Sequence, residues 1–142
     1  MIWESLTVFD KKSFKNSEDA LKDLLCDAEL NNSFKAIKKM EDSYSYGIGK
    51  GVVLYKERIK NHEPELYLKI ANPTVEYNSF DGVPINIFCF LITPLDDELH
   101  LKYLASFYRL INFESFRERL IKSETLEEVR KLIKREEEGF EI

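Results

Sequence analysis

Few side chains in this sequence suit nucleophilic or acid–base chemistry. The 142 residues include two histidines, His62 and His100, and two cysteines, Cys26 and Cys89. Imidazole is the side chain whose ordinary pKa, about 6.5, leaves it neutral and nucleophilic near pH 7. His62 falls in a polar turn, Lys60-Asn61-His62-Glu63-Pro64, and reads as an exposed loop residue. His100 falls near the start of a helical segment, where a histidine commonly caps or packs. The histidines and cysteines are too scattered to supply a zinc ligand set. The cysteines lack the spacing of a disulfide framework and read as two separate buried thiols. Carboxylate sites for harder metals stay open, but neither a metal nor a cofactor is expected.

The most distinctive stretch begins at Met40-Glu41, passes Ser45-Tyr46 and Gly47-Ile48-Gly49-Lys50-Gly51, and runs through apolar Val52-Val53-Leu54-Tyr55 to Lys56. The glycines lack the spacing of a nucleotide-binding fingerprint. A glycine loop does present backbone N–H groups suited to anions. Lys56 then reads either as a solvated residue at a strand end or as a cation that binds an anion. Glu41 and Ser45 read as residues that fix the loop through hydrogen bonds.

These residues need elements to hold them. Asn16-Ser17-Glu18-Asp19 opens a helix with Ala20, Leu21, Leu24, Leu25 and Ala28 on one face. A shorter helix follows the Asn31-Asn32-Ser33 cap cluster, with Phe34, Ile37 and Met40 inward, and ends near Asp42. Leu66, Leu68 and Ile70 alternate with Glu65, Tyr67 and Lys69, the pattern of a half-exposed strand, and Asn72-Pro73 interrupts it. Residues 85–92 form an apolar run suited to a central strand covered on both faces. A long helix starts near Leu95, with Leu101, Leu104, Tyr108 and Ile111 as its stripe. Residues 113–121 suggest another helix. Ser123 caps a last one, with Leu126, Val129, Leu132 and Ile133 inward and a charged, solvated tail from about residue 134.

Helices before and after a group of strands predict an α/β (α+β) fold, a mixed β-sheet sandwiched between helices, as a single domain over residues 1–142. Apolar residues make up 44% of the chain, enough for a packed core. A net charge of −5 with interleaved signs argues against nucleic acid as a partner. No apolar run approaches the roughly 20 residues needed to cross a bilayer, and the first residues do not form a signal peptide. The protein is expected in the cytoplasm, without membrane insertion.

The stretch ending at Lys56 resembles the signature of enzyme IIA domains of the sugar phosphotransferase system, in the fructose, mannitol and nitrogen-regulatory class. There an Arg-Glu pair, a Ser-Thr pair, a glycine loop and a strand lead to Pro-His. A second landmark, a proline followed by His-Leu and Leu-Ala at a helix start, is matched by Pro94, His100-Leu101 and Leu104-Ala105. Together the landmarks span roughly residues 15 to 135. The resemblance implies the enzyme IIA fructose/mannitol-like fold. It also implies an active site in which a histidine takes a phosphoryl group from the histidine phosphocarrier protein and passes it to a IIB domain or uses it as a signal.

In this sequence the acceptor position is Lys56, the proline is Tyr55, and the arginine is Met40. Glu41, Ser45 and Gly49 keep their places, and His100 is the retained second histidine. A lysine ammonium, with an ordinary pKa of about 10.4, has no lone pair until it is deprotonated. A Met40 thioether cannot stabilise a transferring phosphoryl group. The resemblance with its degenerate site therefore implies a non-catalytic regulatory or partner-binding relative. Its partners would be the phosphocarrier protein, a IIB domain or a regulator, with docking to a membrane transporter. Two other readings stay open: a phosphoryl carrier using His100 or a displaced His62, and a module binding an anion or phosphometabolite between Lys56, His100 and the glycine loop.

Overall fold

The structure, a computed structural model, describes residues 2–140. Five strands form one sheet: β1 (Leu6–Lys12), β2 (Gly47–Gly49), β3 (Val52–Arg58), β4 (Glu65–Val75) and β5 (Ile85–Thr93). Their order across the sheet is β1-β4-β5-β3-β2. β1 pairs with β4 and β3 with β5 in parallel, while β4–β5 and β2–β3 are antiparallel, so the sheet is mixed. The apolar run at 85–92 is the central strand, as its composition requires.

Strand alternation sends successive side chains to opposite faces, and each face meets its own helices. On one face Leu54, Leu68, Cys89 and Leu91 share an apolar layer with Phe107 and Leu120. These come from α4 (Asp97–Ile111) and α5 (Glu114–Lys122). The same layer takes in α1 (Ile2–Ser5) and α6 (Leu126–Phe140) through Ile2 and Ile133. On the other face Tyr55, Phe88 and Phe90 pack against Leu21 and Leu24 of α2 (Ser17–Asp27) and Ile37 of α3 (Phe34–Glu41). Full burial of a side chain the size of Phe or Ile stabilises by about 1.5–3 kcal/mol, which makes β5, buried along almost its whole length, the main anchor. Among the described residues no helix is long and apolar enough to cross a membrane.

Several local expectations change. β1 carried no assignment from the sequence; its mixed pattern becomes a strand by pairing with β4 at the sheet edge. β4 is not half-exposed, because helices cover both faces of the sheet: Leu66 through Ala71 are all buried, Lys69 included. Asn72-Pro73 does not end β4, which accommodates it where the register with β5 shifts between Ile70 and Val75. The glycine loop is a hairpin joining β2 to β3. Its turn residues Lys50 and Gly51 have φ of +60° and +81°, both in the left-handed region that suits the right-handed twist of a hairpin.

Ser123 does not cap α6. Its hydroxyl donates to the Arg119 carbonyl at 2.8 Å, and Thr125 Oγ1 accepts from the Glu128 amide at 3.2 Å instead. Residues 134–138 belong to α6, and Glu137 is buried because its carboxylate accepts the Ile2 and Trp3 amides at 3.0 and 2.8 Å. In α4 the inward residues are Phe107, Leu110 and Ile111, while Leu101 and Tyr108 are exposed. Met40 points out of α3 rather than inward, and Cys26 is exposed while Cys89 alone is the buried thiol.

Candidate functional site

The sheet topology brings three strand ends to one edge. β3 and β5 are parallel and finish together, with Lys56 beside Leu91 and Arg58 beside Thr93. β4 runs the other way and starts there, with Glu65 beside Ile92. The chain leaves β5 through Pro94 and enters α4 within a few residues, where Asp96 caps the helix by accepting the Leu99 amide at 3.0 Å. His100 therefore sits on the first turn of α4, over the ends of β3 and β5.

Its ring is fixed by the neighbouring strand. His100 Nδ1 lies 2.7 Å from the buried Thr93 hydroxyl. The Arg58 guanidinium donates to the Leu95 carbonyl and to Asp97 Oδ1, each at 2.6 Å, tying the end of β3 to the start of α4. The exposed Lys56 ammonium makes no hydrogen bond or ion pair among the described residues. Partial burial, followed by the positive charges of Arg58 and Lys56, holds the His100 pKa below its ordinary 6.5, against a smaller opposing effect of Asp97. The site thus joins a neutral imidazole to two cations on one face of β3, an arrangement suited to an anion.

Of the residues singled out from the sequence, Lys56 and His100 come together and the others do not join them. Glu41 lies on the far side of β3. Its carboxylate accepts from the phenols of Tyr77 and, at 3.5 Å, Tyr55, the strand neighbour that points opposite to Lys56. Burial, then the Glu41 charge among other causes, pushes the Tyr55 pKa well above its usual range, so its phenol stays a donor. The rings of Tyr44, Tyr46 and Tyr55 pack in sequence, tilted by 48° and 51°, with centroids 4.9 Å apart. Tyr55 and Tyr46 are thus committed to packing.

Ser45 Oγ accepts the Gly47 amide at 3.0 Å, as the loop-fixing reading expects. Gly49 marks the opposite end of β3 from His100, roughly 20 Å along the strand at about 3.3 Å per residue. There its φ of +90° lies in the region that favours glycine. Met40 is exposed at the end of α3. His62 is half-buried rather than exposed. Its Nδ1 lies 2.6 Å from the Glu63 carbonyl and its Nε2 3.5 Å from the Glu65 carboxylate at the start of β4. Arg58 and Thr93 escaped the sequence reading. Arg58 was within reach, because a residue two beyond Lys56 on a strand shares its face; Thr93 becomes part of the site only through the pairing of β3 with β5.

The fold as a whole matches that of solved enzyme IIA structures. The nitrogen regulatory protein IIA-Ntr of Neisseria meningitidis superposes with a TM-score of 0.77 at 21% identity, over 93% of this chain and 98% of that one. The mannitol-specific cryptic phosphotransferase enzyme IIA of Escherichia coli does so at 0.71 and 18%, over 93% and 97%. The enzyme IIA mannitol chain of Escherichia coli, solved in complex with phosphorylated enzyme IIB, does so at 0.67 and 15%, over 92% and 94%. Among curated proteins no sequence match is found. The sequence settles the family: residues 1–136 match the phosphoenolpyruvate-dependent sugar phosphotransferase system EIIA 2 family, and the chain belongs to it.

Proposed function

We propose that this protein is a single-domain, cytoplasmic enzyme IIA relative that binds a protein partner and does not carry phosphate, with Lys56 standing in the acceptor position. The observation that carries this reading is an exposed Lys56, without a hydrogen bond or ion pair among the described residues, near His100 at the common end of β3 and β5. An ammonium in open solvent has no lone pair with which to attack phosphorus. Met40, at the arginine position, supplies no charge. Arg58, the cation that is present, is held by Leu95 and Asp97. Such a surface lacks a nucleophile at the acceptor position while keeping an exposed positive charge for a partner to meet. Its partners are the histidine phosphocarrier protein, a IIB domain or a regulator. The Escherichia coli mannitol domain seen with phosphorylated IIB is the precedent for a IIB partner.

One observation favours a second reading. A depressed pKa keeps the His100 imidazole neutral, the form a phosphoryl acceptor needs, so His100 is the chemically competent nucleophile of the site. Incubation with phosphoenolpyruvate, enzyme I and the phosphocarrier protein separates the two. The proposed function predicts an intact mass without added phosphate; an acid-labile phosphate that disappears in His100→Ala would establish the carrier instead.

A further inference from the structure

We infer that the end of the sheet remote from His100 is a self-association surface, on which a second copy of this chain seats about a two-fold axis. The inference goes beyond the proposed function and stands independently of it. Phe80, in the loop between β4 and β5, is 84% exposed. Its ring edge lies against the β2–β3 hairpin, 2.9 Å from where a Cβ on Gly49 would stand. Gly49 also lines a hollow of about 270 Å³, to which Ile48, Val52 and Ile111 give apolar walls and Tyr108 an aromatic one. Sites for drug-sized ligands run to roughly 300–1,000 Å³, so this hollow is of a size for a single side chain. An aromatic knob and an apolar hollow thus stand side by side, and the half-exposed Val83 and Tyr108 extend the apolar surface around them.

The charges beside the hollow argue that the occupant is the same chain. The Lys50 ammonium donates to Asn112 Oδ1 at 2.8 Å, and the Asp81 carboxylate accepts the backbone amides of Lys50 at 2.8 Å and Val83 at 3.2 Å. Although neighbours, Lys50 and Asp81 form no ion pair with each other or with any other side chain among the described residues. In a two-fold contact residue i of one copy meets residue j of the other, and j meets i, so a surface must carry both halves of each interaction. This one does: Phe80 of each copy enters the hollow of the other, and Lys50 of each faces Asp81 of the other. The hollow lies at the start of β3 and His100 over its end, so the pair leaves two Lys56–His100 surfaces open, and a bivalent partner would meet both at once.

The test is the molar mass of the full chain, by light scattering and sedimentation, from micromolar to millimolar concentration. The mass is expected to rise with concentration from 16.8 kDa toward twice that value. Phe80→Ser, at an exposed position, should raise the dimer dissociation constant at least about thirtyfold, the effect of losing a central hot spot, while the circular dichroism and unfolding midpoint of the dilute chain stay as they were. Leu101→Glu, beside His100, should leave association unchanged. Lys50→Glu and Asp81→Lys should each weaken it by setting like charges opposite one another. Mixing those two variants should restore it, because both crossed contacts then join opposite charges. The mass of a single chain at every concentration would overturn the inference and leave the exposed ring to a partner of another kind or to none. Association that survives Phe80→Ser, or that Leu101→Glu abolishes, would place the interface elsewhere and overturn it equally. Failure of the mixed variants to recover would exclude the two-fold arrangement.

Discussion

At the scale of single residues, the site turns on the charges gathered about His100. Partial burial and the cations Arg58 and Lys56 disfavour the imidazolium, so its NMR titration midpoint should fall below 6.5. Lys56→Gln removes one of those charges and should move the midpoint back up, whereas a midpoint unchanged by the substitution would mean that Lys56 does not face the ring. The consequence for stability follows from the direction of the shift. The unfolded chain binds a proton near 6.5 that the folded chain refuses until lower pH, so this contribution is fully present above 6.5 and is lost as pH falls through the window beneath it. Lys56, at the end of one recognisable stretch, and His100, within a second, could be singled out from the sequence, and the structure brings the two together at the end of β3 and β5. Arg58 and Thr93 were harder to see, since their roles depend on which strands pair and in what register.

At the scale of elements, β4 shows why a two-residue period alone misleads. Glu65, Tyr67 and Lys69 alternate with apolar residues, yet Tyr67 and Lys69 are buried beneath α2. Lys69 is accommodated by carboxylates from distant segments: Asp10 on β1, and Asp23 and Asp27 on α2, with Asp23 Oδ2 at 3.0 Å and the other two in direct hydrogen bonds. No window of sequence around Lys69 contains those partners. Removing the ammonium leaves three carboxylates facing one another, a loss of about 3–5 kcal/mol for a fully buried pair. The aspartates are partly exposed and solvent screens them, so Lys69→Met should cost about 2–3 kcal/mol in urea unfolding, below that range. Burial alone would raise the Asp23 pKa, but hydrogen bonds and charge from Lys12 and Lys69 bring it below its ordinary 3.8. The stabilisation from Asp23 is therefore present above pH 3.8 and is lost as pH falls through the lowered value. Lys69→Met should weaken that acid dependence.

At the scale of the whole molecule, composition and the apolar run at 85–92 were enough to place a central strand between two helical layers. The closing contact between the chain's two ends was not legible, because a charged segment near a C-terminus reads as solvated until its partner is known. Glu137 on α6 satisfies the first amides of α1, and Glu137→Ala should lower stability by about 2–3 kcal/mol by thermal or urea unfolding. A neutral result would show that α1 is not held by this carboxylate. The fold is thus supported by contacts that do not involve position 56, so the proposed loss of the acceptor at Lys56 is compatible with an intact enzyme IIA fold. The most direct test of that claim is the intact mass of the wild type and of Lys56→His, side by side, after incubation with phosphoenolpyruvate, enzyme I and the phosphocarrier protein at neutral to alkaline pH. The account predicts one added phosphate on Lys56→His, with Arg58 and His100 beside the restored imidazole, and none on the wild type; a phosphate on the wild-type chain would contradict it.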